Sequence, residues 1–91
     1  MSDIYIVIDD LKNRYNHEFV FDIYEHTKRY SIVGLCCKIC YFKMYIYLAI
    51  NNYNFEKQLN FTHIIKINNV EYAYDNTILS CEEEIIKNII E

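Results

Sequence analysis

Residues 29–50 read RYSIVGLCCKICYFKMYIYLAI, and this stretch decides the fold. It is the most apolar part of the chain and holds its only glycine, Gly34, with three of its four cysteines. From Tyr41 onward the pattern has period two. Phe42, Met44, Ile46, Leu48 and Ile50 share one face, which is wholly apolar. Tyr41, Lys43, Tyr45, Tyr47 and Ala49 share the other. Such alternation, in aromatic and β-branched residues, predicts a strand. One strand over the whole stretch would run roughly 70 Å, longer than a domain of this size. The stretch therefore breaks, most simply near Cys37-Lys38-Ile39-Cys40, giving strands near 29–36 and 40–50. A membrane-spanning helix is the rival reading. It would leave Lys38 and Lys43 in hydrocarbon, at about 3 kcal/mol each, and would not explain the period.

Upstream, Phe19–Tyr24 reads two ways: Leu11, Tyr15, Phe19 and Ile23 would form a stripe on one long helix, but the segment is built from strand-preferring residues, and the strand is favoured. A turn at Glu25-His26-Thr27-Lys28 would pair it with the strand from Arg29. Tyr24 then opposes Arg29, Ile23 opposes Tyr30 and Phe21 opposes Ile32. Further upstream, Ile4, Ile6 and Ile8 alternate with Tyr5 and Val7, which predicts a short strand apolar on both faces. Asp9-Asp10 ends it, and Asp10 caps a short helix to Asn16.

Downstream, 51–60 is polar and Asn-rich, a loop anchored by Phe55 and Leu59. Thr62 to Asp75 reads as a hairpin about Asn68-Asn69, since Asn tolerates the positive φ of a type I′ turn. That register pairs Ile67 with Val70, Lys66 with Glu71, Ile65 with Tyr72, Ile64 with Ala73, His63 with Tyr74 and Thr62 with Asp75. Ser80-Cys81-Glu82-Glu83 fits a capping box. Glu82, Glu83 and Glu84 then favour the helix dipole, and Ile85, Ile86, Ile89 and Ile90 form an apolar stripe. The fold expected is α+β: a mostly antiparallel sheet of about five or six strands with a C-terminal amphipathic helix packed on one face. Residues 1–91 make a single small domain.

Ile, Asn, Tyr, Lys and Phe abound, Pro and Trp are absent, and Gly occurs once. The abundant residues have AT-rich codons, which points to an AT-rich genome: a virus, a phage, a mobile element or a low-GC microbe. The net charge of −4 argues against direct nucleic-acid binding, which calls for a basic face. The first ten residues lack the features of a signal peptide. The expected setting is a reducing cytoplasm, a host cell's if the source is viral, with free thiols and no membrane association.

Candidate sites are few. Cys37-x-x-Cys40 is a weak zinc signal, because no second ligand pair is present. In an extended chain these two cysteines point apart by about 10 Å, and they converge only if Lys38-Ile39 is a turn. Packed cysteines behave as small hydrophobes, so the expectation is no metal and no cofactor. Asp9 and Asp10, with Asp22 and Glu25, could form a magnesium-dependent nuclease or phosphotransfer site. No glycine-rich phosphate loop accompanies them. His17 and His26 read as solvated, and His63 as packed on Tyr74. The ten tyrosines exceed what a core needs. Tyr41, Tyr45 and Tyr47 form the candidate interaction face, with Asp9, Asp10, Glu82, Glu83 and Glu84 as its acidic groups. The resulting expectation is a non-catalytic acidic module, an inhibitor docking on a basic surface of a host protein and itself a homodimer. The metal-dependent enzyme near Asp9 is the first alternative, and a small zinc-binding protein through Cys37 and Cys40 is the second.

Overall fold

The computed structural model describes residues 3–50, 53–55, 61–74 and 77–90. Its elements are α1 (Ile4–Tyr15), β1 (Phe19–His26), β2 (Tyr30–Cys37), β3 (Lys43–Ala49), β4 (His63–Ile67), β5 (Val70–Tyr74) and α2 (Cys81–Ile90). The five strands form one antiparallel sheet in the order β1-β2-β3-β5-β4. The fold is α+β, as the pattern of the chain requires.

The N-terminal segment corrects the expectation of a strand over 4–8. It is a helix, because Ile4, Val7, Ile8 and Leu11 are spaced as one helical stripe and all four are buried. They pack on Val33, Leu35, Met44, Ile46, Tyr72 and Tyr74 to form the main core. Burying four aliphatic side chains outweighs the β propensity of Ile and Val, which is small by comparison. Asn16, in the left-handed conformation at φ 58°, ends the helix.

The apolar face read from β3 is the one under α1, with Met44 and Ile46 fully buried. The opposite face is covered over half its width. Tyr30, Tyr47, Tyr53, Phe55 and Phe61 stack there, with Tyr47 and Phe61 ring centres 5.0 Å apart. Phe55 is fully buried, and its backbone N–H donates to Glu71 Oε1 at 2.8 Å. Phe55 thus anchors the loop as expected; Leu59 lies outside the described residues.

The β4–β5 hairpin has the predicted register from Ile67–Val70 to His63–Tyr74. Asn68 and Asn69 take φ of 48° and 66°, the conformation of a type I′ turn. The imidazole of His63 stacks on Tyr74 at 4.7 Å. The Thr62–Asp75 pair lies outside the described residues.

The β1–β2 register differs from the expected one. His26 opposes Ser31, Glu25 opposes Ile32 and Tyr24 opposes Val33; beyond a bulge, Phe21 opposes Leu35. The turn falls later because Thr27 organises it. Its Oγ1 accepts from the backbone N–H groups of Arg29 and Tyr30 and donates to the Tyr30 carbonyl at 2.7 Å. Near the turn the shift is an even number of residues, which leaves every side chain on its expected face, so alternation alone cannot detect it.

α2 begins with the predicted capping box: Ser80 N–H donates to Glu83 Oε1 and Glu83 N–H to Ser80 Oγ. The helix is seated through its first turn, where Cys81 and Glu84 are buried. The isoleucine stripe is not the packing face: Ile85, Ile86, Ile89 and Ile90 are exposed. No helix among the described residues is long and apolar enough to cross a membrane.

Candidate functional site

The tyrosines expected to line up do not. Tyr41 precedes β3, in a turn, at φ 64° and 75% exposed. Tyr47 is covered by Phe61 and Tyr30. Within β3, Tyr45 stays exposed on that face. It borders a shallow cleft of about 250 Å³ lined by Ile23, Glu25, Ile32, Tyr45 and Tyr47.

That cleft adjoins β1, whose other side has no strand partner among the described residues. Phe21 and Tyr24 are 54% and 68% exposed on the α1 side of the sheet, and Tyr5 of α1 meets Phe21 edge-on at 5.8 Å. Val20 and Ile23 are exposed on the other side, near Asp22 and Glu25. Asp22 lies 3.8 Å from Lys43. Sequence reading treated Phe19–Tyr24 as an ordinary paired strand; that it is an edge depends on where β2, β3 and β5 go.

The acidic residues do not gather. Asp9 and Asp10 sit on the exposed side of α1, where Asp10 pairs with Arg14 at 3.0 Å. Glu82 and Glu83 are exposed on α2, while Glu84 is buried. Among the described residues, Asp9, Asp10, Asp22 and Glu25 form no convergent group of three or more ligand atoms.

One group does converge: His17, Cys37, Cys40 and Cys81, all buried, with one donor atom from each within 4.8 Å of the others. His17 follows α1, Cys37 ends β2, Cys40 lies in the turn to β3 and Cys81 opens α2. The Cys37–Phe42 turn brings the two nearest cysteines together. Tyr41 N–H donates to the Cys37 carbonyl and Cys37 N–H to the Phe42 carbonyl, each at 2.9 Å. Phe19 and Phe42 flank the His17 ring at 5.0 and 5.2 Å. This corrects the expectation of a solvated His17, which is 1% exposed.

The electrostatics are uneven. Burial raises the Cys37 thiol, but backbone N–H donation from Cys40 and Ile39, with help from His17, outweighs it and lowers this group to about 6. Burial, reinforced by the neighbouring thiols of Cys37 and Cys81, pushes Cys40 up to about 12. Burial also raises Cys81. Spacing along the chain carried only Cys37 and Cys40. His17 and Cys81 had no signal, because the topology alone brings them in.

The chain matches no family profile, no curated protein and no solved structure.

Proposed function

We propose that this protein is a non-catalytic binding module that takes an extended, basic and apolar segment of a partner protein along β1. The observation that carries this reading is the apolar edge strand. Eight residues of backbone end the sheet on that side, flanked by exposed Phe21, Tyr24 and Tyr5 on one face and by Val20, Ile23 and Tyr45 on the other. Native sheets normally protect such an edge, and adding a partner strand is a common way to use one. The bulge at Asp22–Ile23 splits the edge into two short ladders, which suits one short segment better than unlimited sheet growth.

Charge selects the partner. Asp22 and Glu25 lie along this strand in a chain of net charge −4. Lys or Arg on the incoming segment would be attracted, and apolar residues would cover Phe21 and Tyr24. A second copy pairing β1 to β1 would bring acids together, so a foreign basic segment is favoured over the homodimer. The inhibitor role on a host protein is the biological form of the same proposal. The nuclease alternative lacks support, since its acids lie on separate elements.

The test is titration of an eight-residue peptide alternating Lys and Val, followed by amide NMR. A Glu/Val peptide is the control. Shifts confined to 19–26 and 45, seen with the basic peptide only and abolished in Phe21→Pro, whose backbone N–H faces away from β2, support the reading. Binding elsewhere, equal response to both peptides, or a dimer whose interface already covers β1 would overturn it.

A further inference from the structure

We infer that His17, Cys37, Cys40 and Cys81 hold one structural zinc ion. Three separate observations carry this.

The first is spacing. Tetrahedral zinc, with Zn–S about 2.3 Å and Zn–N about 2.0 Å, sets its sulfurs about 3.8 Å apart and sulfur about 3.5 Å from nitrogen. Cys37 Sγ and Cys81 Sγ are 3.8 Å apart. Cys40 Sγ and His17 Nδ1 are 3.4 Å apart. Two of the six donor pairs are thus at ligand-to-ligand distances, and all four donors lie within 4.8 Å of one another.

The second is the orientation of His17. Its Nε2–H donates to the Leu79 carbonyl at 2.8 Å. A carbonyl only accepts, so Nε2 carries the proton and Nδ1 presents a bare lone pair to the sulfurs. An imidazole fixed by a backbone carbonyl behind it is the outer-shell arrangement typical of metal-binding histidine.

The third is the turn. It closes through Tyr41 N–H to the Cys37 carbonyl and Cys37 N–H to the Phe42 carbonyl, each at 2.9 Å. Closing it places Tyr41 at φ 64°, which costs a non-glycine residue about 1 kcal/mol. The strained turn brings Cys37 and Cys40 into one buried group with His17 and Cys81.

Rival readings explain less. Packing of small apolar thiols accounts for the burial, and a Cys40 S–H donated to Nδ1 for that one contact, but neither draws all four donors within 4.8 Å of one another. A disulfide needs sulfurs about 2.0 Å apart, and those of Cys37 and Cys81 are 3.8 Å apart. A catalytic thiol needs access, and Cys37 is fully buried.

Three thiolates and a neutral imidazole are a soft, tetrahedral set suited to zinc. Binding releases the thiol protons to solvent. With four protein ligands no position stays open for water or substrate, so the ion serves structure. It ties the α1–β1 connection and the β2–β3 turn to the first residue of α2. Since the isoleucines of α2 are exposed, Cys81 is the main anchor of that helix. This assignment stands apart from the partner-binding reading.

The test begins with native mass spectrometry of the protein purified without chelator, which should show one zinc per chain. After removal of zinc under reducing conditions, cobalt(II) should give the intense visible bands of a tetrahedral thiolate site, bleached by added zinc. Cys37→Ser, Cys40→Ser, Cys81→Ser and His17→Gln should lose these bands. Cys36→Ser, the adjacent thiol outside the group, should keep them. If the ligand variants fail to fold, wild type and Cys36→Ser decide the matter. Pale octahedral cobalt spectra, loss of the bands in Cys36→Ser, or a folded, reduced wild type that takes up no metal would overturn the assignment.

Discussion

Ile23 lies directly over Gly34. A Cβ added at Gly34 would meet Ile23 Cβ and Ile23 N at 3.2 Å and Tyr45 Cε1 at 3.3 Å. The bulge in β1 presses backbone onto β2 at this point, so a Cβ would fit only if Ile23 or the Tyr45 ring gave way by a few tenths of an ångström. Gly34→Ala should therefore destabilise the protein by about 1–3 kcal/mol, as overpacking does, despite the better strand propensity of alanine. Urea unfolding measures the loss, and an unchanged or raised midpoint would mean that β1 moves away freely.

Tyr41 presents the opposite case. It occupies the left-handed region while 75% exposed. Tyr41→Gly relieves strain and should raise stability by up to about 1 kcal/mol, with cobalt or zinc uptake intact. A loss of stability in urea unfolding would show that the tyrosine ring makes contacts worth more than the strain.

The capping box sets the acid limit of α2. Ser80→Ala should cost about 1 kcal/mol, read as faster amide exchange across Cys81–Ile90. Hydrogen bonds from the backbone and side chain of Ser80 hold the Glu83 carboxyl below its usual range. A depressed acid contributes stability above its unfolded pKa and loses it as pH falls through the folded value. Protection of α2 should accordingly decline on acidification below the ordinary carboxylate range, and Glu83→Gln should flatten that component of the exchange profile.

Removing zinc should loosen α2 before the sheet. Chelator should lower the thermal midpoint, because a ligand bound only to the native state stabilises it. Amide exchange should rise first at residues 80–90 and 37–42, while the α1 core over Val33, Leu35 and Met44 stays protected. Lowering the pH should have the same effect as chelator, since the ligands bind metal only when deprotonated. Uniform loss of protection across the sheet would show that the two hydrophobic clusters unfold as one.

Leu35 and Met44 sit at the centre of that core, 1% and 0% exposed. Leu35→Ala or Met44→Ala should each cost about 2–5 kcal/mol, measured by urea unfolding; both belong to the main core and not to the cysteine cluster.

The sequence by itself determined the elements whose signals are local. Asn68-Asn69 and the flanking alternation define the β4–β5 register because turn type and pattern act over a few residues. The period-two run from Phe42 identifies the core face of β3, and Ser80 with Glu83 marks the start of α2. Tertiary structure decided the rest. Ile4–Ile8 satisfies both a strand and a helix pattern, and burial of Val7, Ile8 and Leu11 on the sheet selects the helix. The β1–β2 register depends on the Thr27 turn and on a bulge packed closely over Gly34. The metal ligands were legible only as far as Cys37 and Cys40. His17 and Cys81 stand 20 residues before and 41 residues after these two, so no spacing rule joins them. They meet because α1 ends, and α2 begins, beside the turn between β2 and β3.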